Sequence, residues 1–208
     1  MENMEKISWQ IWNKDGFGRD LLIGGLLFYV PVINLLLLGY YGIWVRKLVL
    51  KEGFDLPEWR DGRAILNELG RVIVPFLAWI ILPLVLAGLL VWAMGGLLNF
   101  IHLGWFAATV AFLPLALLAL LCPLALISSL LRLYKRNSLR EALMVQEILQ
   151  DTLRNLKPAL FPTFQFFGII SLGWPLLGFA AFTATLPFLA QLILVMSRRE
   201  DDLKSPEY

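Results

Sequence analysis

Residues 72–131 read VIVPFLAWIILPLVLAGLLVWAMGGLLNFIHLGWFAATVAFLPLALLALLCPLALISSLL, and this stretch decides the fold. It holds no Asp, Glu, Lys or Arg, and its only ionisable side chains are His102 and Cys122. A hydrocarbon core about 30 Å thick is crossed by roughly 20 apolar residues of helix. The stretch is therefore long enough for two crossings. Gly95, Gly96, Asn99, His102 and Gly104 gather at its centre as a turn. The pattern predicts a membrane hairpin that runs out along 71–94 and back along 104–131.

The rest of the composition agrees with that reading. The chain has 208 residues, of which 59% are hydrophobic and 16% charged. Its mean hydropathy is +0.71. A soluble domain carries about a quarter charged residues. One membrane domain at 19–197, preceded by an interfacial segment at 1–18 and followed by a charged cytoplasmic tail at 198–208, accounts for the length. The net charge of +2 is small and its cations are dispersed, so nucleic acid is not an expected partner. Cys122 is the only cysteine, which rules out an intrachain disulfide and a multi-cysteine metal cage. It precedes Pro123 in an apolar run and reads as a small buried side chain.

Working outward, two further uncharged blocks flank the central one. Residues 21–45 are interrupted around Val30, Pro31 and Asn34. They form either one kinked span or two half-depth helices that enter and leave on one side. No small-residue cleavage pattern follows, so this is not read as a cleaved signal peptide. Residues 158–197 break at Gly173, Trp174 and Pro175 and predict two helices, roughly 159–172 and 175–197.

Between the blocks lie two polar connectors. In 46–71, Asp55, Leu56, Pro57 and Glu58 have the form of a capping box, with Asp55 as cap, Pro57 in the first turn and Glu58 at N3. Trp59 is then expected at headgroup level, leading a helix that carries Ile65, Leu66 and Leu69. In 132–157, Ser138 and Glu141 form a second capping box. Ala142, Val145, Ile148, Leu149, Leu153 and Leu156 follow at helical spacing, opposite Arg140, Glu147, Gln150, Asp151, Arg154 and Lys157. That is an amphipathic helix for a membrane surface or a bundle. Near the N-terminus, Ile7, Ile11 and Trp12 share a helical face, which suits an interfacial helix.

Charge sets the topology. Every Lys and Arg lies at the N-terminus, in the two connectors or in the tail. The positive-inside rule puts these four regions in the cytoplasm and only the 95–104 loop outside. Both flanking blocks must then return to their starting side. The fold class that follows is all-α: a polytopic membrane bundle with two full spans, two broken or returning hairpins, and cytoplasmic amphipathic connector helices. It belongs in the plasma or inner membrane, multi-pass, with both termini cytoplasmic.

Leu21, Leu22, Ile23, Gly24 and Gly25, then Val30 to Asn34 around Pro31, then Leu38, Gly39 and Tyr40 with Arg46 after them, then Leu56, Pro57, Glu58 and Trp59 form an ordered set. Together, over about residues 15–70, it resembles the domain-of-unknown-function 4013 family of prokaryotic membrane proteins. The resemblance implies an integral membrane protein of unassigned biochemistry, with no catalytic residue to carry over.

Sites for chemistry are scarce. His102 is the only histidine, while metal sites use three or four ligands; it reads as a loop residue at the outer headgroups. Ser128 and Ser129 have no histidine or lysine in their block to activate them. Proton-coupled transport places acids or histidines at depth, and the Gly pairs lack the downstream Lys-Ser/Thr of a phosphate loop. Among the polar residues left at depth, Asn34, Gln165 and Gln191 are candidates to line a polar path, against the blander role of helix–helix hydrogen bonding. Trp9, Trp12, Trp59, Trp105 and Trp174 read as interface anchors. No catalytic, cofactor or metal site is expected, nor enzymatic activity. The expected partners are the lipid bilayer and a second copy of the chain or other membrane proteins. The expected function is a non-enzymatic membrane scaffold or interaction module. The alternative is a small oligomeric transporter or channel for a neutral or lipidic substrate.

Overall fold

The computed structural model of the chain describes residues 4–30, 32–53, 55–100 and 104–204, and within these the backbone alone at 4, 5, 7, 97–100, 104–116, 119 and 198–204. Among the described residues every regular element is helical. In order they are α1 (Met4–Trp12), α2 (Phe17–Leu27), α3 (Leu35–Val49), α4 (Gly62–Phe76), α5 (Leu82–Phe100), α6 (Gly104–Arg136), α7 (Val145–Leu172) and α8 (Leu177–Lys204). His102 lies outside the described residues, as do 205–208.

Among the described residues, two helices are long and apolar enough to cross a membrane, Gly62–Gly96 and Trp174–Ser197. The first includes part of the central hairpin. Only 22% of its most apolar window is buried within the chain, whereas a soluble protein's core helix is mostly covered. Leu84, Val85, Leu89, Leu90 and Trp92 are all exposed along α5. The second lies in the block expected to return, so α8 is no half-depth helix by length.

Several boundaries differ from the expectation. Apolar character changes at Arg71 and at Lys157, but the helices do not stop there. α4 continues through a π-helical stretch, Leu77–Ile81, into α5, and α7 runs unbroken through Pro158 and Pro162. Pro83 gives the π stretch a cause. Its ring would strike the carbonyl four residues back, at Trp79, and one widened turn relieves the clash while the rod continues. At the far end, α8 stays helical through Lys204, into the segment set apart as a charged tail. The break at Gly173 to Pro175 is where it was expected, as a short 3-10 turn at Trp174–Leu176.

Neither capping box starts a helix. Asp61 caps α4, its side chain accepting from the Ala64 amide at 3.0 Å. Asp55 lies six residues before that cap and instead meets Lys14 Nζ at 2.6 Å. After Ser138 the chain makes a turn and a single 3-10 turn at Glu141–Leu143 before α7 begins. The expected apolar face of α7 divides accordingly. Ala142 and Ile148 are buried, while Val145, Leu149 and Leu153 are exposed.

α8 is the centre of the bundle and packs against α1, α2, α3, α6 and α7. The core gathers Tyr40 and Trp44 of α3, Leu124 and Leu133 of α6, and Phe182 and Leu192 of α8. α3 and α4 make the closest approach. A Cβ on Gly39 would lie 2.2 Å from the Ile65 carbonyl oxygen, and one on Gly42 would lie 2.6 Å from Val72 Cγ2.

Four outcomes follow in thermal unfolding of the detergent-solubilised protein. Gly39→Ala should destabilise by about 1–3 kcal/mol, because the atom it strikes is backbone. Gly88→Ala, with nothing within 4 Å of its Cβ position, should be neutral or slightly stabilising. Asp61→Ala should cost about 1 kcal/mol through the lost cap, while Asp55→Ala, which loses only an exposed pair to Lys14, should lower the melting temperature much less than Asp61→Ala does.

Candidate functional site

Three of the four segments quoted for the family resemblance are distant in sequence but converge in space around one ring, Phe182 of α8. Cβ atoms on Gly24 and Gly25 would lie 2.2 Å from Phe182 and 2.3 Å from Phe179. Glycine at both positions lets α2 lie directly on α8. One turn on, the Gly178 amide donates to the Tyr29 hydroxyl at 2.9 Å. From α3, the Tyr40 and Tyr41 rings each lie 6.0 Å from Phe182. Trp59 then stacks on Tyr40, with centroids 4.1 Å apart and planes 9° from parallel, and stands 6.5 Å from Phe182.

Trp59 is therefore a half-buried plug packed on the core, and it stands before α4 instead of leading a helix. Leu56 and Pro57 are buried beside it, while Asp55 and Glu58 point outward. Alternate burial in a segment with no helix is how a strap holds to a surface. Asp20, in the first turn of α2, faces this strap. Burial pushes its carboxyl up, and Lys14, Arg19 and the Trp59 indole N–H pull it back. That indole N–H nevertheless falls short of hydrogen-bond geometry, and so does the fully buried Tyr40 hydroxyl.

A second cluster lies at the base of α3, α4 and α6. Glu68 is 3% exposed in an otherwise apolar environment. Its two oxygens are both engaged, by Arg46 Nη1 at 3.0 Å and by the Tyr134 hydroxyl at 2.9 Å. The Arg71 guanidinium lies 5.9 Å from the Tyr134 ring centroid and donates to Asn137 at 2.5 Å. Burial, then the Glu68 carboxylate, push the Tyr134 phenol far above its ordinary range. Next to it, Arg132 of α6 binds Glu147 and Asp151 of α7. The carbonyl of Ala142 accepts from both Trp79 Nε1 at 3.1 Å and Ser129 Oγ at 2.6 Å. Two buried donors on one carbonyl tie α6, the π stretch and the start of α7 together.

No sequence motif pairs Arg46 with Glu68. A signal was present: Ile65, Glu68 and Val72 share one face of α4, all buried, and a carboxylate on an apolar stripe needs a partner. The polar-path residues do not form one cluster. Asn34 stands half-buried just before α3 without a capping bond. Gln191 is buried with Nε2 unpartnered, and Gln165 has Oε1 unpartnered. From Gly178, which meets Tyr29 at Asn34's end of the fold, Gln191 lies thirteen residues along α8, roughly 20 Å. No group of side chains suited to a metal ion occurs among the described residues. The charged cluster can fix helices in place, and the aromatic one can hold a flat group.

The charged cluster makes a prediction in thermal unfolding. Glu68→Gln should cost about 1.5–3 kcal/mol, since a charge-assisted bond to Arg46 is lost in a nearly water-free site. Arg46, whose side chain is 38% exposed, can rehydrate and so limits the loss. Glu141→Gln, which breaks a pair to the 60% exposed Arg136, should shift stability by less than about 0.5 kcal/mol.

No curated protein and no solved structure matches the chain. A family model does, and its span takes in the glycines of α2, the aromatic plug, the Glu68 cluster and Phe182 alike. The chain belongs to the family described as "Protein of unknown function (DUF4013)", which it matches over residues 22–186.

Proposed function

We propose that this is a multi-pass membrane protein whose N-terminus, connectors and tail share the cytoplasmic side, and that it acts there as a non-enzymatic scaffold. The observation that carries this reading is how the charged segments are joined. Lys14 pairs with Asp55, linking the N-terminal segment to the first connector. Arg46 and Tyr134 meet on Glu68, and Arg71 meets Asn137, linking the first connector to the second. Arg132 and Arg136 close the second connector on itself. Segments bonded to one another share a side of the membrane, which is where the positive-inside rule places them.

The short helices support the returning form of the first block. α2 has 11 residues and rises about 16 Å, half of a hydrocarbon core. In a single kinked span, residues 24 and 40 would stand roughly 24 Å apart, yet both meet Phe182. The outward stripe of Val145, Leu149 and Leu153 supports an interfacial start to α7, since Gln146, Gln150, Arg154 and Lys157 lie beside it and the exposed residues from Leu160 onward are mostly apolar. α1, α2–α3 and the start of α7 then add volume to one leaflet, and the scaffold shapes or marks curved membrane. The transport reading draws on the unpartnered amides of Gln165 and Gln191.

Reconstitution into vesicles of mixed size separates the two. The scaffold should partition toward small vesicles, and Leu149→Glu should weaken that preference by placing a charge on the inserted stripe. Flux of a neutral solute that falls with Gln191→Leu, with no size preference, would establish transport instead. In a Cys122→Ala background, a cysteine at position 51 should stay hidden from an impermeant thiol reagent added outside intact cells. One at position 99 should react.

A further inference from the structure

The Asp55–Arg60 strap places one flat group, the Trp59 indole, in a seat made by the rest of the chain. The floor is Tyr40, whose ring lies parallel to the indole at 4.1 Å. Phe182 forms a side wall at 6.5 Å, tilted by 36°. At the edge stands Asp20 of α2, close enough for its carboxyl and the Trp59 and Tyr40 side chains to act on one another. A ring face beside a carboxylate attracts a group that is planar and carries positive charge, because both the ring quadrupole and the anion favour it. Indole supplies the plane but only a weak donor.

The fit of Trp59 is incomplete in the polar part of the seat. Neither its Nε1 nor the Tyr40 hydroxyl has a hydrogen-bond partner, although burial makes an unmade bond costly. The outer hold on the strap is slight as well. Lys14 meets an Asp55 side chain that is 80% exposed, and Lys47 Nζ meets the Asp55 carbonyl at 3.3 Å. Leu56 and Pro57 are buried, so rotation of the Trp59 side chain would vacate the seat without lifting the strap. Around it, Gly24, Gly39 and Gly42 fix the spacing of α2, α3, α4 and α8 independently of the plug.

We propose that the Trp59 seat is a binding site for planar aromatic cations, which the strap occupies from within until a ligand displaces it. Such a ligand would lay its ring on Tyr40 and direct its charge to Asp20. The inference is separate from the scaffold reading, since no part of it depends on which side of a membrane the strap faces.

Ethidium, a planar fluorescent cation, tests it by anisotropy titration of the detergent-solubilised protein. Trp59→Ala should bind ethidium at least tenfold more tightly than the wild type, and adding Asp20→Asn should abolish the gain. Pyrene, planar and uncharged, should gain less than threefold from Trp59→Ala. Lys14→Ala keeps the plug but loosens its outer hold, and should tighten ethidium binding two- to fivefold. Equal gains for ethidium and pyrene, or a gain that survives Asp20→Asn, would reduce the seat to an apolar hole and overturn the proposal. Should Trp59→Ala not fold, an unchanged ethidium affinity in Lys14→Ala overturns it equally.

Discussion

A single buried carboxylate sets the arrangement of three helices. Glu68 stands on the packed face of α4, where an unpaired charge would cost several kcal/mol. Arg46 must come from α3 and Tyr134 from α6 to satisfy it. Each partner has one workable position on its helix, so the carboxylate fixes both the axial and the rotational setting of α3, α4 and α6. Gly42 belongs to the same constraint, for a Cβ there would lie 3.1 Å from Glu68 Cγ and 3.3 Å from the Tyr134 hydroxyl. Apolar packing is non-directional and on its own gives little preference among such settings. A buried charge with two defined partners supplies the specificity that hydrophobicity lacks here.

The same logic explains why the helices ignore the hydropathy boundaries. A helix ends where its backbone bonds can end, at a cap or a residue that cannot continue, and not where polarity changes. Asp61 provides a cap and α4 starts there. No cap stands at Arg71 or Lys157, so α4 and α7 carry straight on from polar to apolar surroundings. Prolines at 75, 83, 158 and 162 do not interrupt these rods, but at Pro83 the cost shows in a π stretch just before it. Trp79 lies in that stretch and is aimed at the Ala142 carbonyl, so the widened turn also serves a tertiary bond.

Much of the architecture was legible. The apolar blocks, the interruption near Pro31 and the break at Gly173 each follow from local chemistry, and each stands where that chemistry put it. The two capping boxes were misplaced for a common reason. Asp55 and Ser138 match a pattern four residues long, and a pattern that short cannot weigh Asp61 or the pull of Lys14 on Asp55 from another segment. Trp59 shows the limit most clearly. Its sequence context, a tryptophan beside charged residues after an apolar block, is that of an interface anchor. Its partners Tyr40 and Phe182 are 19 and 123 positions away (59 − 40 and 182 − 59), beyond any local reading. The family motifs did mark the right residues, without saying that they met.

Where they meet bears on what the fold is for. Gly24 and Gly25 admit α8, Gly39 and Gly42 admit α4, and the ring of Phe182 stands between α2 and α3. A bundle held only for stability would close such a junction with aliphatic side chains from its own helices. Here a residue from a non-helical strap completes it, and two buried polar groups remain unmatched when it does. Unmatched polar atoms in a buried site are a cost that an apolar side chain would not carry. Lys14 and Lys47 hold the strap from outside, both through Asp55. Under the proposal above, displacing Trp59 leaves α3, α4 and α6 held by Glu68, so a ligand would take the seat without undoing the bundle.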